Sequence, residues 1–366
     1  MTDGGRAAER GRALLDLGRG PEAERYIREA LAAEPSDADL LIDLAQSLNM
    51  QDRHDEARDT AQRGLAEAPE HLVGLLVLSA SLAGLEDYNS AIDVVRSGLQ
   101  IAPEVPQFHR QEGALLRAQD RPVDALGPLE QARTLDPDDS ETVALVGAAL
   151  FNARRFADSE LAVAEALHLD PENPQAHRIR GLLSLRKGDG KPAVEAHRTA
   201  LRLDPTDPDY REGLATAMKS RNPLYGLLIR ISDWMDGLPS GARWLVLLAP
   251  YLATRFLRPF DHEIWAQVLI ALVVALALLS WTLEPLMNTV LLCSSYARNL
   301  LPRRTKLATY AFLAYVASAI AAAAVGMMRD SDSAFVLAFG FASAIISMSI
   351  FIATGSAYGF LSIMSR

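Results

Sequence analysis

The sequence has almost no cysteine. Cys293 is the only one in 366 residues. No disulfide framework can form within one chain, and no thiolate metal cluster either. The seven histidines are His54, His71, His109, His168, His177, His197 and His262. No two of them form an HExxH-type pair or stand at a recognisable metal-ligand spacing. There is no phosphate-binding glycine loop, nucleophile elbow or dinucleotide fingerprint. No catalytic residue, metal site or cofactor is therefore expected, and the chain is not expected to be an enzyme. Basic charge is scarce as well, since the net charge is −10. Residues 221–366 carry eleven Arg/Lys and seven Asp/Glu, which leaves residues 1–220 at −14. That acidic balance argues against nucleic acid as a partner, because phosphate binding needs a basic face. The N-terminus, MTDGGRAAERGRALLDLG, lacks the apolar core of a signal peptide. The N-terminal part is expected to stay where it is made.

What is there divides into two halves. Up to Ser220 the chain is polar and rich in Ala, Leu, Arg, Asp and Glu; from Arg221 onward it is mostly apolar. The first half is periodic. Pro35, Pro69, Pro103, Pro137, Pro171 and Pro205 are separated by 34 residues each. They follow helical runs such as LAAEP, LHLDP and LRLDP. Proline cannot continue a helix, so each marks a helix end and the turn that follows. Acidic and hydroxyl residues just after it, as in Pro35-Ser36-Asp37 and Pro137-Asp138-Asp139-Ser140, can cap the next helix.

A 34-residue helical period with these markers closely resembles the tetratricopeptide repeat. With Pro35 as that family's late proline, the repeats begin at residues 4, 38, 72, 106, 140 and 174. The family's small position in the first helix then falls on Gly11, Ala45, Ser79, Gly113, Gly147 and Gly181. Its alanine early in the second helix falls on Ala23, Ala57, Ala91, Ala125, Ser159 and Ala193. Its second small position falls on Ala30, Gly64, Gly98, Ala132, Ala166 and Ala200. The usual Trp is replaced by Ala7, Leu41, Leu75, His109, Val143 and His177. The two histidines are expected to pack in the hairpin seam, as is His197 at a position often aromatic in the family. Leu14, Leu48, Leu82, Leu116 and Leu150 supply the apolar seam at helical spacing. The resemblance implies an all-α solenoid, in which each hairpin buries its apolar face only against its neighbours. Six repeats are expected over 4–206, with a capping helix at 207–220.

The resemblance also implies a concave groove lined by the first helix of each hairpin. Its positions map to Asp39, Gln46, Asn49, Gln107, Arg110, Arg117, Glu141, Gln175 and Arg178, with Arg186 one place later. The third repeat contributes an apolar patch of Val73, Leu76, Ala80 and Ala83. Asn49, Arg110, Arg117, Arg178 and Arg186 are the candidate partner-binding residues. Guanidinium groups grip carboxylates in bidentate fashion, so the groove is expected to take a protein or an acidic peptide. The bland alternative is that these are solvated arginines on helix surfaces.

Residues 221–242 read as an interfacial linker, with Pro223–Met235 as an amphipathic helix. Residues 243–366 read as a membrane domain with three or four transmembrane helices, so membrane lipid is an expected partner. Uncharged stretches at Ile264–Trp281, Leu307–Met328 and Ser333–Ile352 are long enough to cross a bilayer. Trp244–Phe260 is a fourth, interrupted by Arg255 and Arg258. The loop 294–306 holds Arg298, Arg303, Arg304 and Lys306 and no acid, so it should be cytoplasmic. With four spans the solenoid, this loop and the C-terminus all lie on that side. Heavy use of Ala, and of Arg over Lys, suggests a GC-rich bacterial genome, and hence the bacterial inner membrane with a cytoplasmic solenoid. The expected function is a membrane-anchored scaffold or adaptor. The alternative is a solenoid-regulated membrane pore or transport component. A homo-oligomer is left open.

Overall fold

A computed structural model describes residues 3–223, 225–226 and 285–329; of residues 3, 295, 296, 315 and 318–329 it describes the backbone alone. The described residues are helical or in turns. The helices run α1 (Asp3–Asp16), α2 (Gly20–Leu31), α3 (Ala38–Asn49), α4 (His54–Glu67), α5 (Leu72–Gly84), α6 (Tyr88–Ile101) and α7 (Pro106–Ala118). They continue with α8 (Pro122–Leu135), α9 (Ser140–Asn152), α10 (Phe156–Leu169), α11 (Pro174–Lys187), α12 (Gly190–Leu203) and α13 (Pro208–Ser220). Residues 285–292 are helical, and α14 (Ser295–Arg298) and α15 (Arg303–Arg329) follow. Two compact units divide this chain, Met1–Ile179 and Arg180–Arg366. The division falls inside α11.

In the first unit, consecutive helices pair as antiparallel hairpins, and the odd-numbered helices also touch one another: α1 with α3, α3 with α5, α5 with α7, α7 with α9. The even-numbered helices have no comparable contacts among the described residues. The odd row is thus the tight inner row, and the stack curls toward it. Such an arrangement is held by neighbour contacts alone.

Side-chain volumes explain why the inner row can be tight. Ala23, Ala57, Ala91, Ala125, Ser159 and Ala193 are all fully buried. The Ser159 hydroxyl donates to the Gly147 carbonyl at 2.7 Å, so its burial leaves no unmet donor. The small position of each first helix faces a residue of its own second helix sixteen places on, and the sizes compensate. A Cβ on Gly11 would stand 2.6 Å from Ile27, one on Gly147 3.0 Å from Val163, and one on Gly181 2.6 Å from His197. Gly113 is closed off in the same way by Leu129. In the second hairpin the residue sixteen places on is only Ala61, and there the small position is Ala45, both fully buried. A close-packed interior sets one total volume per layer and lets the two helices share it differently.

Capping repeats with the same period. Asp37, His71, Asp139 and Asp207 each accept a backbone N–H at the start of a first helix or of α13. Asn173 does the same for Ala176 N–H at 2.8 Å. Each satisfies one of the donors a helix leaves open at its N-terminus. Val105 stands at the one uncapped place in this series, where Pro106 opens the helix instead. Inside each hairpin the turn passes through a left-handed residue: Gly18, Asp52, Glu86, Asp120, Arg154 and Gly188, with φ of 72°, 58°, 62°, 59°, 61° and 85°.

In the second unit His197 is fully buried, with its ring between Gly181 and Gly213, where either added Cβ would come within 2.6 Å. This is the packing role its repeat position implied. Helix α13 pairs with α12. The chain then returns: Leu291, Ala297, Leu300 and Leu301 are buried with Leu185, Ala193, Val194, Leu214, Ala215 and Ala217.

Helix α15 is 27 residues long and contains the whole expected stretch Leu307–Met328. Among the described residues no helix is long and apolar enough to cross a membrane. Most side chains of the second half of α15 are outside that description. The expected spans at 244–260, 264–281 and 333–352, and nearly all of the interfacial helix at 223–235, also lie outside the described residues.

Candidate functional site

The inner row of the first unit presents the expected groove residues, and their partners are now visible. At its start Arg12 of α1 bonds Asp43 of α3 at 2.7 Å and lies 3.8 Å from Asp39. Burial pushes the Asp43 carboxyl up, and Arg12 offsets only part of that. His71 completes the cluster. Its Nδ1 accepts the Gly74 amide at 3.0 Å, so Nδ1 is unprotonated and Nε2 donates to Asp39 Oδ1 at 3.0 Å.

Asn49 is taken up by the solenoid itself. Its side-chain amide donates to the Val77 carbonyl at 3.2 Å and to Ser81 Oγ at 2.9 Å, while Oδ1 lies 3.2 Å from His54 Nδ1. It ties α3 to α5 and leaves little for a foreign ligand. Arg110 is likewise paired. One guanidinium nitrogen bonds Asp139 at 2.8 Å and Glu141 at 2.9 Å, both at the start of α9. Burial works against the Asp139 charge, but the Thr142 hydroxyl, Arg110 and the Glu141 amide together hold the carboxyl below its usual range. A cleft of about 300 Å³ opens here, lined by Pro106, Gln107, Arg110, Asp136, Asp138 and Asp139. Three carboxylates around one paired arginine make this cleft acidic, the reverse of the charge that the sequence spacing implied.

Arg117 stands seven residues along α7 from Arg110, half-buried in the last turn, where a cation suits the helix dipole. Arg178 donates from Nε to Gln175 at 3.2 Å on its own helix. Arg186 lies in the second unit, half-buried in the last turn of α11. The structure therefore brings Arg110 together with Gln107, Glu141 and the aspartates Asp136, Asp138 and Asp139. It does not gather the arginines into a carboxylate clamp within the first unit.

Between the two ion-pair clusters lies α5. Val73 is 50% exposed, Ala80 is exposed, and Leu76 and Ala83 are half-buried. This strip has no side-chain charge along it. It is the apolar part of an otherwise polar inner row.

The odd histidines have a role that sequence spacing did not suggest. His109 Nε2 lies 2.8 Å from the Pro103 carbonyl, and His177 Nε2 lies 2.9 Å from the Pro171 carbonyl. In α13, Arg211 donates to the Pro205 carbonyl in the same way. All three stand six residues after a marker proline and clasp the carbonyl of that turn. The signal was the shared offset from the proline, with a donor where volume alone was expected. Among the described residues no group of acidic, histidine and cysteine side chains could hold a metal ion.

Comparison with known proteins agrees with the geometry. The family model described as tetratricopeptide repeat matches residues 9–71 and 147–208. No curated protein matches the chain. Among solved structures, pilF of Pseudomonas aeruginosa is 18% identical, covers 57% of this chain and 96% of its own, and has a TM-score of 0.46. YrrB, a tetratricopeptide-repeat protein with an unusual peptide-binding site, is 20% identical over 50% of this chain and 95% of its own, with a TM-score of 0.36. A chain of the Cut9–Hcn1 hetero-tetramer of the APC/C is 18% identical over 58% of this chain and 42% of its own, with a TM-score of 0.50. At these identities the likeness is one of fold. The N-terminal part of this chain is an all-α solenoid of tetratricopeptide repeats.

Proposed function

We propose that this chain holds protein partners at a membrane, with the inner row of the solenoid as the docking face and the apolar C-terminal half as the anchor. The α5 strip carries the docking half of the reading. Val73, Leu76, Ala80 and Ala83 expose apolar surface in the middle of the inner row, and apolar surface rimmed by polar groups is what protein contacts use. Arg12 and Arg110 are neutralised on either side of it by the chain's own acids. An acidic peptide would have to displace Asp139 and Glu141 from Arg110. An apolar segment laid along α5 displaces nothing. The partner is accordingly a protein segment with an apolar face, and an acidic end contributes only by exchanging with Glu141, which is 63% exposed.

The anchor is supported by α15. Leu307–Met328 is uncharged, and Arg303, Arg304 and Lys306 stand at its N-terminal end. Leu307, Tyr310 and Leu313 are 63%, 51% and 37% exposed, an uncovered apolar start suited to lipid.

The test places a photoreactive side chain at Val73 or at Val123 in the full chain and illuminates intact cells. Val123 is 68% exposed on an even-numbered helix of the outer row. A discrete cross-linked partner from Val73 and not from Val123 supports the docking face. Equal products from both, or none from Val73, removes it. Alkaline carbonate washing tests the anchor, which requires the chain to stay with the membrane pellet.

A further inference from the structure

We infer that residues 285–301 are an internal ligand of the last hairpin, and that this contact holds the basic collar of α15 on the same membrane side as the solenoid. The inference rests on the membrane reading above. It deepens that reading by giving the collar a side.

The contact is apolar and extensive. Met287, Leu291, Leu300 and Leu301 are 5–8% exposed, and Ala297 is fully buried. Leu291, Ala297, Leu300 and Leu301 share one cluster with Leu185, Ala193, Val194, Leu214, Ala215 and Ala217, and Leu182, Leu201, Met218 and Leu292 pack at its edge. Apart from Leu292, these partners come from α11, α12 and α13. The end of a solenoid has no next repeat to cover it, so its outer face needs either a polar surface or a cap. Here the chain supplies much of that cover from a segment more than sixty residues further on.

That return has a topological consequence. The last hairpin and α13 carry many charges and are water-facing elements. A segment buried against them sits on their side of any bilayer. Two residues beyond Leu301 begin Arg303, Arg304 and Lys306, and Arg298 precedes them. This collar then lies at the headgroup level on the solenoid's side, where cations suit anionic lipid.

The native thiol makes the test direct, since Cys293 is exposed and is the only cysteine. A membrane-impermeant maleimide is applied to right-side-out and inverted vesicles carrying the full chain. The same is done with Cys293→Ser/Glu29→Cys, whose thiol reports on the exposed side of α2. Labelling of both from one and the same face is the expected result. Labelling from opposite faces overturns the inference. If carbonate strips the protein from the vesicles, the membrane reading fails by itself, and the docking is then read in a second measurement. Hydrogen exchange compares the full chain with Leu291→Asp/Leu300→Asp. Exchange in α12 and α13 should quicken by about tenfold or more, with α3 to α8 unchanged as proof that the solenoid still folds. Unchanged exchange in α12 and α13 overturns the internal-ligand assignment.

Discussion

Glu86→Gly should make the protein more stable, although it removes a side chain and touches nothing in the core. Each hairpin turn needs one residue near φ = +60°, and only Gly18 and Gly188 are glycines there. Glu86 stands at φ 62° with an exposed side chain. For an L-residue that conformation costs roughly 1–2 kcal/mol, because Cβ crowds the following carbonyl. Glycine removes the crowding but gains freedom in the unfolded chain, which returns roughly 0.5–1 kcal/mol. The difference leaves Glu86→Gly more stable by up to about 1.5 kcal/mol. Asp52 and Asp120 occupy the same place at 58° and 59°. Aspartate tolerates this region better, so their glycine variants should change stability little. The control is Gly188, at φ 85°, where alanine should cost about 1 kcal/mol or more. Thermal unfolding of the full chain, followed by the helical circular-dichroism signal, reads the difference as about 2–4 °C per kcal/mol for a solenoid of this size. A loss of melting temperature in Glu86→Gly as large as that in Gly188→Ala would refute the reasoning, since strain would then not be stored in these turns.

Other outcomes follow from the packing and the charges. Gly113→Ala forces Leu129 to move and should cost roughly 1–3 kcal/mol. Leu129→Ala alone leaves a void and should cost roughly 2–5 kcal/mol. The double variant recreates the Ala45–Ala61 pairing and should lose less than the sum in a double-mutant cycle. His177→Leu keeps seam volume, as Leu41 and Leu75 do at that position, but orphans the Pro171 carbonyl, so it should lose about 1 kcal/mol in urea unfolding. The Asp139 carboxyl is held below its usual range in the folded chain. Its stabilisation is therefore fully present above the unfolded carboxylate value, near ~4, and is lost as pH falls through the lower folded value. Asp139→Asn should show a shallower loss of stability on acid titration than wild type, and an equal slope would remove Asp139 from the account.

The candidate site was only partly legible in the sequence. Spacing assigns the groove to the first helices, because a fixed period places the same repeat position on the same helix face each time. It could not say which charges there are spent. Arg110 faces the ligand groove by its position, yet its partners Asp139 and Glu141 lie 29 and 31 residues away at the start of the next first helix. Asn49 was singled out for the same reason and proves to bond Val77 and Ser81 in the neighbouring hairpin. Each of these pairings crosses between hairpins, and a one-dimensional period does not report what a neighbour one repeat away contributes to a contact.

The sequence by itself determined the repeat. Thirty-four-residue spacing of prolines, small residues and leucines fixes where helices end and which faces approach, because those depend on local backbone rules and residue volume. Helix caps such as Asp37 and Asp139 follow the same local logic and were readable too. The tertiary structure alone decided the rest. It showed that glycine or alanine at the small position answers to the size of a side chain sixteen residues on. It showed that His109, His177 and Arg211 clasp the turn of a proline. It brought Leu291, Ala297, Leu300 and Leu301 back onto the last hairpin. Such a contact leaves no period in the sequence, since it joins a repeat to a segment that is not a repeat, and only the chain's path in space brings the two together.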